Sequence, residues 1–137
     1  MRHHTLLLLL LAAPLAAQSN AERITNDAYS RSHDYDLVHQ RIELRDFNWD
    51  STSFSGRVTT TLVARRPAFD SVILDAGALL QVERATDPSG AVLRTGRAGD
   101  TLVVYLRRPA GFGDTVRFTI AYAGKVENGT GLTFIYN

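Results

Sequence analysis

Apolar and polar positions alternate along most of this chain, and the alternation centres on residues 34–64. Within 54–64, Phe54, Val58, Leu62 and Ala64 share one parity, with Gly56 and Thr60 between them. Within 35–47, Val38, Ile42 and Leu44 share a parity, while Glu43 and Arg45 take the other. Successive side chains of a strand point to opposite faces, so each set predicts a β-strand with one buried side. The polar stretch Asn48-Trp49-Asp50-Ser51-Thr52-Ser53 predicts the turn that joins them. A lone hairpin is marginal in water, so the rest of the chain must supply strands that cover it.

Further strands follow. Pro67 has no amide hydrogen to donate and ends the second strand's ladder. Short strands are predicted over 71–75 and 79–86, the latter closed by the turn Asp87-Pro88-Ser89-Gly90. Pro there presets one backbone angle and Gly permits positive φ. Residues 91–94 and 101–106 predict a hairpin across the loop 96–100, and 109–114 reads as the next turn. The cleanest alternation is 115–123, where Val116, Phe118, Ile120 and Tyr122 face one way and Thr115, Arg117, Thr119 and Ala121 the other. After a loop over 124–131, a last apolar stretch runs over 132–136. No segment past residue 30 sustains a helical period. The fold class is therefore all-β: an antiparallel β-sandwich or a partly open barrel. No internal repeat is evident, which argues against a propeller or solenoid.

The first residues stand apart. Arg2, His3 and His4 form a basic start, residues 6–13 an unbroken apolar run, and Pro14-Leu15-Ala16-Ala17 a small-residue end. That is the layout of a secretory signal peptide, and the run is short of the about 20 apolar residues that span a membrane. The expected organisation is a signal peptide at 1–17, a polar linker at 18–33 and a β-domain at 34–137. The mature chain is expected to be soluble and exported, periplasmic or extracellular, with no membrane span.

The whole chain carries 15 Lys and Arg against 14 Asp and Glu. Losing 1–17 removes Arg2 and no acid, which leaves 14 against 14. A neutral chain with only the dipeptides Arg65-Arg66 and Arg107-Arg108 lacks the concentrated basic patch of a nucleic-acid binder. There is no cysteine, so a disulfide scaffold and a lipid-anchored cysteine are both excluded, and the core must carry the stability.

Candidate chemistry is thin. His33 and His39 flank a stretch with Asp34 and Asp36, but an extended strand rises about 3.3 Å per residue, which sets the two histidines about 20 Å apart. Zinc–ligand bonds are near 2 Å, so one ion cannot take both, and His39 reads as an ordinary strand histidine. Neither histidine precedes Glu, so H-E-x-x-H is absent. Phe54-Ser55-Gly56 lacks the first glycine of a G-x-S-x-G nucleophile elbow. Gly111-Phe112-Gly113-Asp114 looks like a phosphate loop, but no helix follows to present amides, and a turn explains it better. Asn128-Gly129-Thr130 fits a glycosylation acceptor or, better, a tight turn. Trp49 with Phe47 and Phe54 offers a sugar-stacking patch, against the plainer reading of aromatics packing across strands. No residue of this chain is assigned a catalytic, cofactor-binding or metal-ligating role.

The succession of strand blocks resembles the start of the N-terminal β-domain of the aminopeptidase N family of zinc metallopeptidases. The blocks are Tyr35-Asp36-Leu37-Val38-His39-Gln40-Arg41-Ile42-Glu43-Leu44, then Phe54-Ser55-Gly56-Arg57-Val58-Thr59-Thr60-Thr61-Leu62. Val72-Ile73-Leu74-Asp75, Gly113-Asp114-Thr115-Val116, Ile120-Ala121-Tyr122-Ala123-Gly124 and Gly131-Leu132-Thr133-Phe134 complete the series. The resemblance implies a β-domain in the form of a saddle-like open sheet, which packs on a separate catalytic domain of the same polypeptide and helps wall the peptide cleft. That catalytic domain would supply H-E-x-x-H, a later Glu and zinc, and a Gly-x-Met-x-Asn loop for the peptide's free amino end. None of those motifs is in this sequence, so no cofactor is expected in this chain and it is expected to be inactive alone. The domain is expected to be truncated, and the apolar end at 132–136 to make the isolated chain oligomeric or poorly soluble. The rival expectation is a free-standing exported β-sandwich that binds carbohydrate or protein. A third is a structural subunit assembled by strand addition.

Overall fold

The computed structural model describes residues 33–127, and among these it contains eight strands and no helix. They are β1 (Tyr35–Asn48), β2 (Ser53–Ala64), β3 (Phe69–Asp75), β4 (Leu80–Thr86), β5 (Val92–Leu93), β6 (Thr95–Ala98), β7 (Thr101–Ala110) and β8 (Thr115–Lys125). Two antiparallel sheets form, one in the order β1-β2-β8-β4-β5 and one in the order β3-β7-β6. The expected signal peptide at 1–17, most of the linker, the turn Asn128-Gly129-Thr130 and the strand at 132–136 lie outside the described residues.

The alternation explains the layering. Even-numbered residues of β2 and β8 turn inward, where Thr60, Leu62, Ala64, Phe118 and Ile120 are buried. The odd-numbered Thr59 and Thr119 sit opposite each other on the outer face and share a hydrogen bond of 3.0 Å between their hydroxyls. The three-stranded sheet contributes Phe69, Val72, Leu102 and Val104, all at 3% exposure or less, and Ala85 and Leu93 close the core from β4 and β5. Burying a side chain such as Leu62 or Phe69 stabilises by about 1.5–3 kcal/mol, so this two-layer contact dominates the stability of a chain without disulfides.

The turns follow their chemistry. In the β4–β5 turn the Asp87 carboxylate accepts hydrogen bonds from the Ser89 amide (2.9 Å), the Ser89 hydroxyl (2.5 Å) and the Ala91 amide (3.0 Å), and Gly90 takes φ 85°. Gly113, at φ 84°, turns the chain into β8.

Two expectations need correction. The hairpin of 91–94 with 101–106 keeps only the bond from the Tyr105 amide to the Arg94 carbonyl (2.9 Å): Val92 and Leu93 pair with β4, and Thr95–Ala98, of which 96–98 were expected as loop, pairs with β7. The tight turn at Asp87 commits the next residues to β4, while Gly99 at φ 57° allows a closer reversal from β6 into β7. The second concerns β1. Val38, Ile42 and Leu44 were expected on one buried side, yet they are 60%, 63% and 38% exposed. A register shift between Leu37 and His39 changes parity, so Val38 leaves the face that Ile42 and Leu44 share, and Leu37 takes its place opposite Leu62. Ile42 and Leu44 do face inward, opposite Val58 and Gly56, but the second sheet does not reach them.

Candidate functional site: an uncovered half of the five-stranded sheet

The candidates raised by the sequence are dispersed. His39 lies exposed on β1 opposite Thr61, and Ser55 lies six ladder positions away opposite Arg45, about 20 Å along the sheet. The Ser55 hydroxyl donates to the Asp46 carboxylate, so a Ser–His pair does not form there. In the glycine turn, the Asp114 carboxylate accepts the Gly111 amide at 2.7 Å, which fills the position a phosphate oxygen would need. The basic dipeptides meet carboxylates. Arg65 pairs with Asp36 at 2.9 Å, Arg66 with Asp34 at 2.9 Å, and Arg107 with Asp87 at 3.3 Å.

Asp87 has the one depressed carboxyl pKa resolved among the described residues. The Ser89 hydroxyl lowers it most, the Ala91 and Ser89 amides and Arg107 add to this, and desolvation opposes them. Burial, with Asp75 nearby, raises the hydroxyl of Tyr35, which donates to the Ile73 carbonyl at 2.8 Å. Burial alone raises that of Tyr122. These groups knit turns and strands together and do not converge on a reactive centre.

What does converge is apolar. The three-stranded sheet covers the half of the larger sheet that holds Leu62, Phe118 and Ala85. Over the other half, Ile42 from β1, Val58 from β2, Tyr122 from β8 and Leu80 and Val82 from β4 line an open groove of about 260 Å³. Leu74, Ala76 and Leu102 form its boundary toward the second layer. Its polar groups are few: Gln40 donates to the Thr60 hydroxyl at 3.3 Å, and Asp75 stands at the rim. Arg97 fixes that rim by donating to the carbonyls of Ala76 (2.6 Å), Gly77 (2.6 Å) and Leu80 (2.5 Å).

Beyond the groove the surface continues as an aromatic cluster. Phe54 stacks on Phe47 with ring centroids 6.1 Å apart and meets Tyr122 edge-on at 6.3 Å. Each inner ring needs a glycine opposite it. Tyr122 lies across the Gly56 backbone and Phe54 across that of Gly124, where a Cβ would collide with the ring. The expected sugar-stacking patch is therefore partly spent on packing: Phe47 and Phe54 hold each other, with Phe47 still 45% exposed.

Sequence reasoning missed this surface because the same alternation marks a face whether or not a second layer covers it. One signal was present: glycines placed in strands opposite aromatics show where rings lie flat along a sheet.

The chain is similar to solved M1 zinc metallopeptidases. The M1 zinc metallopeptidase from Deinococcus radiodurans superposes with a TM-score of 0.61 at 29% identity, covering 75% of this chain and 23% of that one. A mutant of the metallopeptidase from that organism, bound to a Tyr-Ser-Ala substrate, gives 0.60 at 29% identity, covering 74% and 23%. A two-domain M1 zinc metallopeptidase mutant bound to L-tryptophan gives 0.60 at 29% identity, covering 70% and 22%. The chain thus spans less than a quarter of the length of these metallopeptidases. It matches no protein-family model and no curated protein.

Proposed function

We propose that this chain is the non-catalytic N-terminal β-domain of an exported zinc metallo-aminopeptidase, and that its uncovered half-sheet packs on the catalytic domain and helps wall the peptide cleft. The observation that carries the reading is the likeness to M1 zinc metallopeptidases, which takes in three quarters of this chain but 23% of the neighbour. The bare apolar half-sheet supports it: contiguous apolar surface rimmed by polar groups is typical of a face that meets another protein surface.

Zinc belongs to the proposed catalytic domain. The described residues do not fit it, since no three His, Cys, Asp or Glu side chains among them come together in a way that could hold a metal ion. No hydrolytic step is assigned to this chain. Its part is to present a preformed apolar wall and to exclude water from the side of the cleft it lines. In that arrangement the metal would polarise the peptide carbonyl and activate water from the neighbouring domain.

The test is the intact mass and zinc content of the natural polypeptide that carries this sequence, isolated from its source. The expected result is a chain several times longer than 137 residues with one bound zinc. A mature polypeptide ending near residue 137, without zinc, overturns the reading in favour of a free-standing module.

A further inference from the structure

Strand β1 is an outer strand of the five-stranded sheet, and among the described residues no strand pairs with its other edge. Such an edge offers a row of backbone donors and acceptors to any extended chain. Only part of it is regular enough to use. The register with β2 shifts between Leu37 and His39 and again between Arg45 and Asn48, and between these shifts residues 39–45 pair one for one with 55–61. Irregularities of this kind bend a strand and interrupt pairing, so they bracket a straight run whose midpoint is Ile42.

From that run we propose that β1 is a self-association edge: two copies of this chain join antiparallel about a two-fold axis at Ile42. Self-pairing centred there uses the whole straight run of both copies. It sets Ile42 against Ile42, Gln40 against Leu44, His39 against Arg45, and Arg41 of one copy against Glu43 of the other, each of the last three twice. Opposed side chains on antiparallel strands sit about 4.5–5.5 Å apart, close enough for each Arg–Glu pair to attract.

Charge selects the same register that the bulges select. A shift by one residue puts the apolar face of one sheet beside the polar face of the other. Moving the centre to Arg41 opposes Arg41 to Arg41. Moving it to Glu43 opposes Glu43 to Glu43 and Arg41 to Arg45. Within one copy Glu43 already accepts from Arg41 at 3.3 Å and Arg45 at 3.0 Å, so the carboxylate is held on the outer face where a second Arg41 would meet it. On the inner face, pairing covers Ile42, which is 63% exposed in the single chain, and joins the two uncovered half-sheets into one surface. The proposal stands apart from the peptidase reading, because it uses the edge of β1 and not the groove.

The chain has no cysteine, so single substitutions report the register directly. Under mild oxidation the full chain carrying Ile42→Cys is expected to form a disulfide-linked dimer. Gln40→Cys and Leu44→Cys should each stay uncrosslinked alone and crosslink when mixed. In sedimentation across a concentration series, Arg41→Glu or Glu43→Arg alone should weaken the dimer about tenfold through two like-charge pairs, and the double reversal should restore it. Three results would each overturn the proposal: a wild-type chain monomeric at every concentration, equal crosslinking by Gln40→Cys alone, or a double reversal no better than the singles.

Discussion

Glycines 56 and 124 are the residues on which the inner face depends most narrowly. Each lies directly across the ladder from an aromatic ring, Tyr122 and Phe54 respectively, and the ring occupies the space a side chain would take. Alanine at either position must push a ring off the sheet, and overpacking of this kind costs about 1–3 kcal/mol. Gly124→Ala is therefore expected to lower the unfolding free energy by that amount, with a matching fall in the denaturant midpoint, and to disturb the Phe47–Phe54 stack, seen as a changed near-ultraviolet signal. An unshifted midpoint would mean the rings are not seated there. Asp87 gives a pH test. Its carboxyl pKa is depressed in the fold, chiefly by the Ser89 hydroxyl, so its contribution is complete above the ordinary aspartate range and is lost as pH falls through the lower folded value. Wild type should lose more stability between about pH 5 and about pH 2 than Asp87→Asn does, measured by urea unfolding at each pH. Parallel curves would remove Asp87 from the acid response.

At the scale of elements, β1 and β2 show what alternation can and cannot tell. Both strands were legible from their apolar parity, as was β8, because side chains on a strand must alternate. The bulge after Leu37 was not legible, since one added residue changes parity without leaving a mark in hydrophobicity. The short β5 was legible as a strand within 91–94, but its partner was not, because the Asp87 turn sets it against β4. Coverage is a property of the other sheet, so Leu62 and Ile42 look alike in sequence and differ in the fold, at 0% and 63% exposed. That difference has an energetic consequence. Leu62→Ala should cost about 2–5 kcal/mol in the isolated chain, and Ile42→Ala should stay within about 1 kcal/mol. Equal losses in thermal or urea unfolding would show that a covering layer reaches β1.

At the scale of the whole molecule, among the described residues, the two layers overlap over half of the larger sheet and leave the other half open, with an apolar groove, an aromatic cluster and a rim clamped by Arg97. A domain built this way is stable through one half and available through the other. The open half-sheet was not legible from the sequence, because it required the relative placement of two sheets. The resemblance to the aminopeptidase N family, drawn from strand blocks alone, agrees with the structural likeness to M1 zinc metallopeptidases. The most direct measurement of the central claim uses one cysteine as a probe of coverage. Val82→Cys lies in the groove and Thr119→Cys on the opposite face of the same sheet. Thiol labelling rates are compared in this chain alone and in the longer polypeptide proposed to carry it. The account predicts that Val82→Cys labels readily in the isolated chain and at least tenfold more slowly in the longer one, through burial at the domain contact, with Thr119→Cys unchanged. Equal rates for Val82→Cys in both would contradict it.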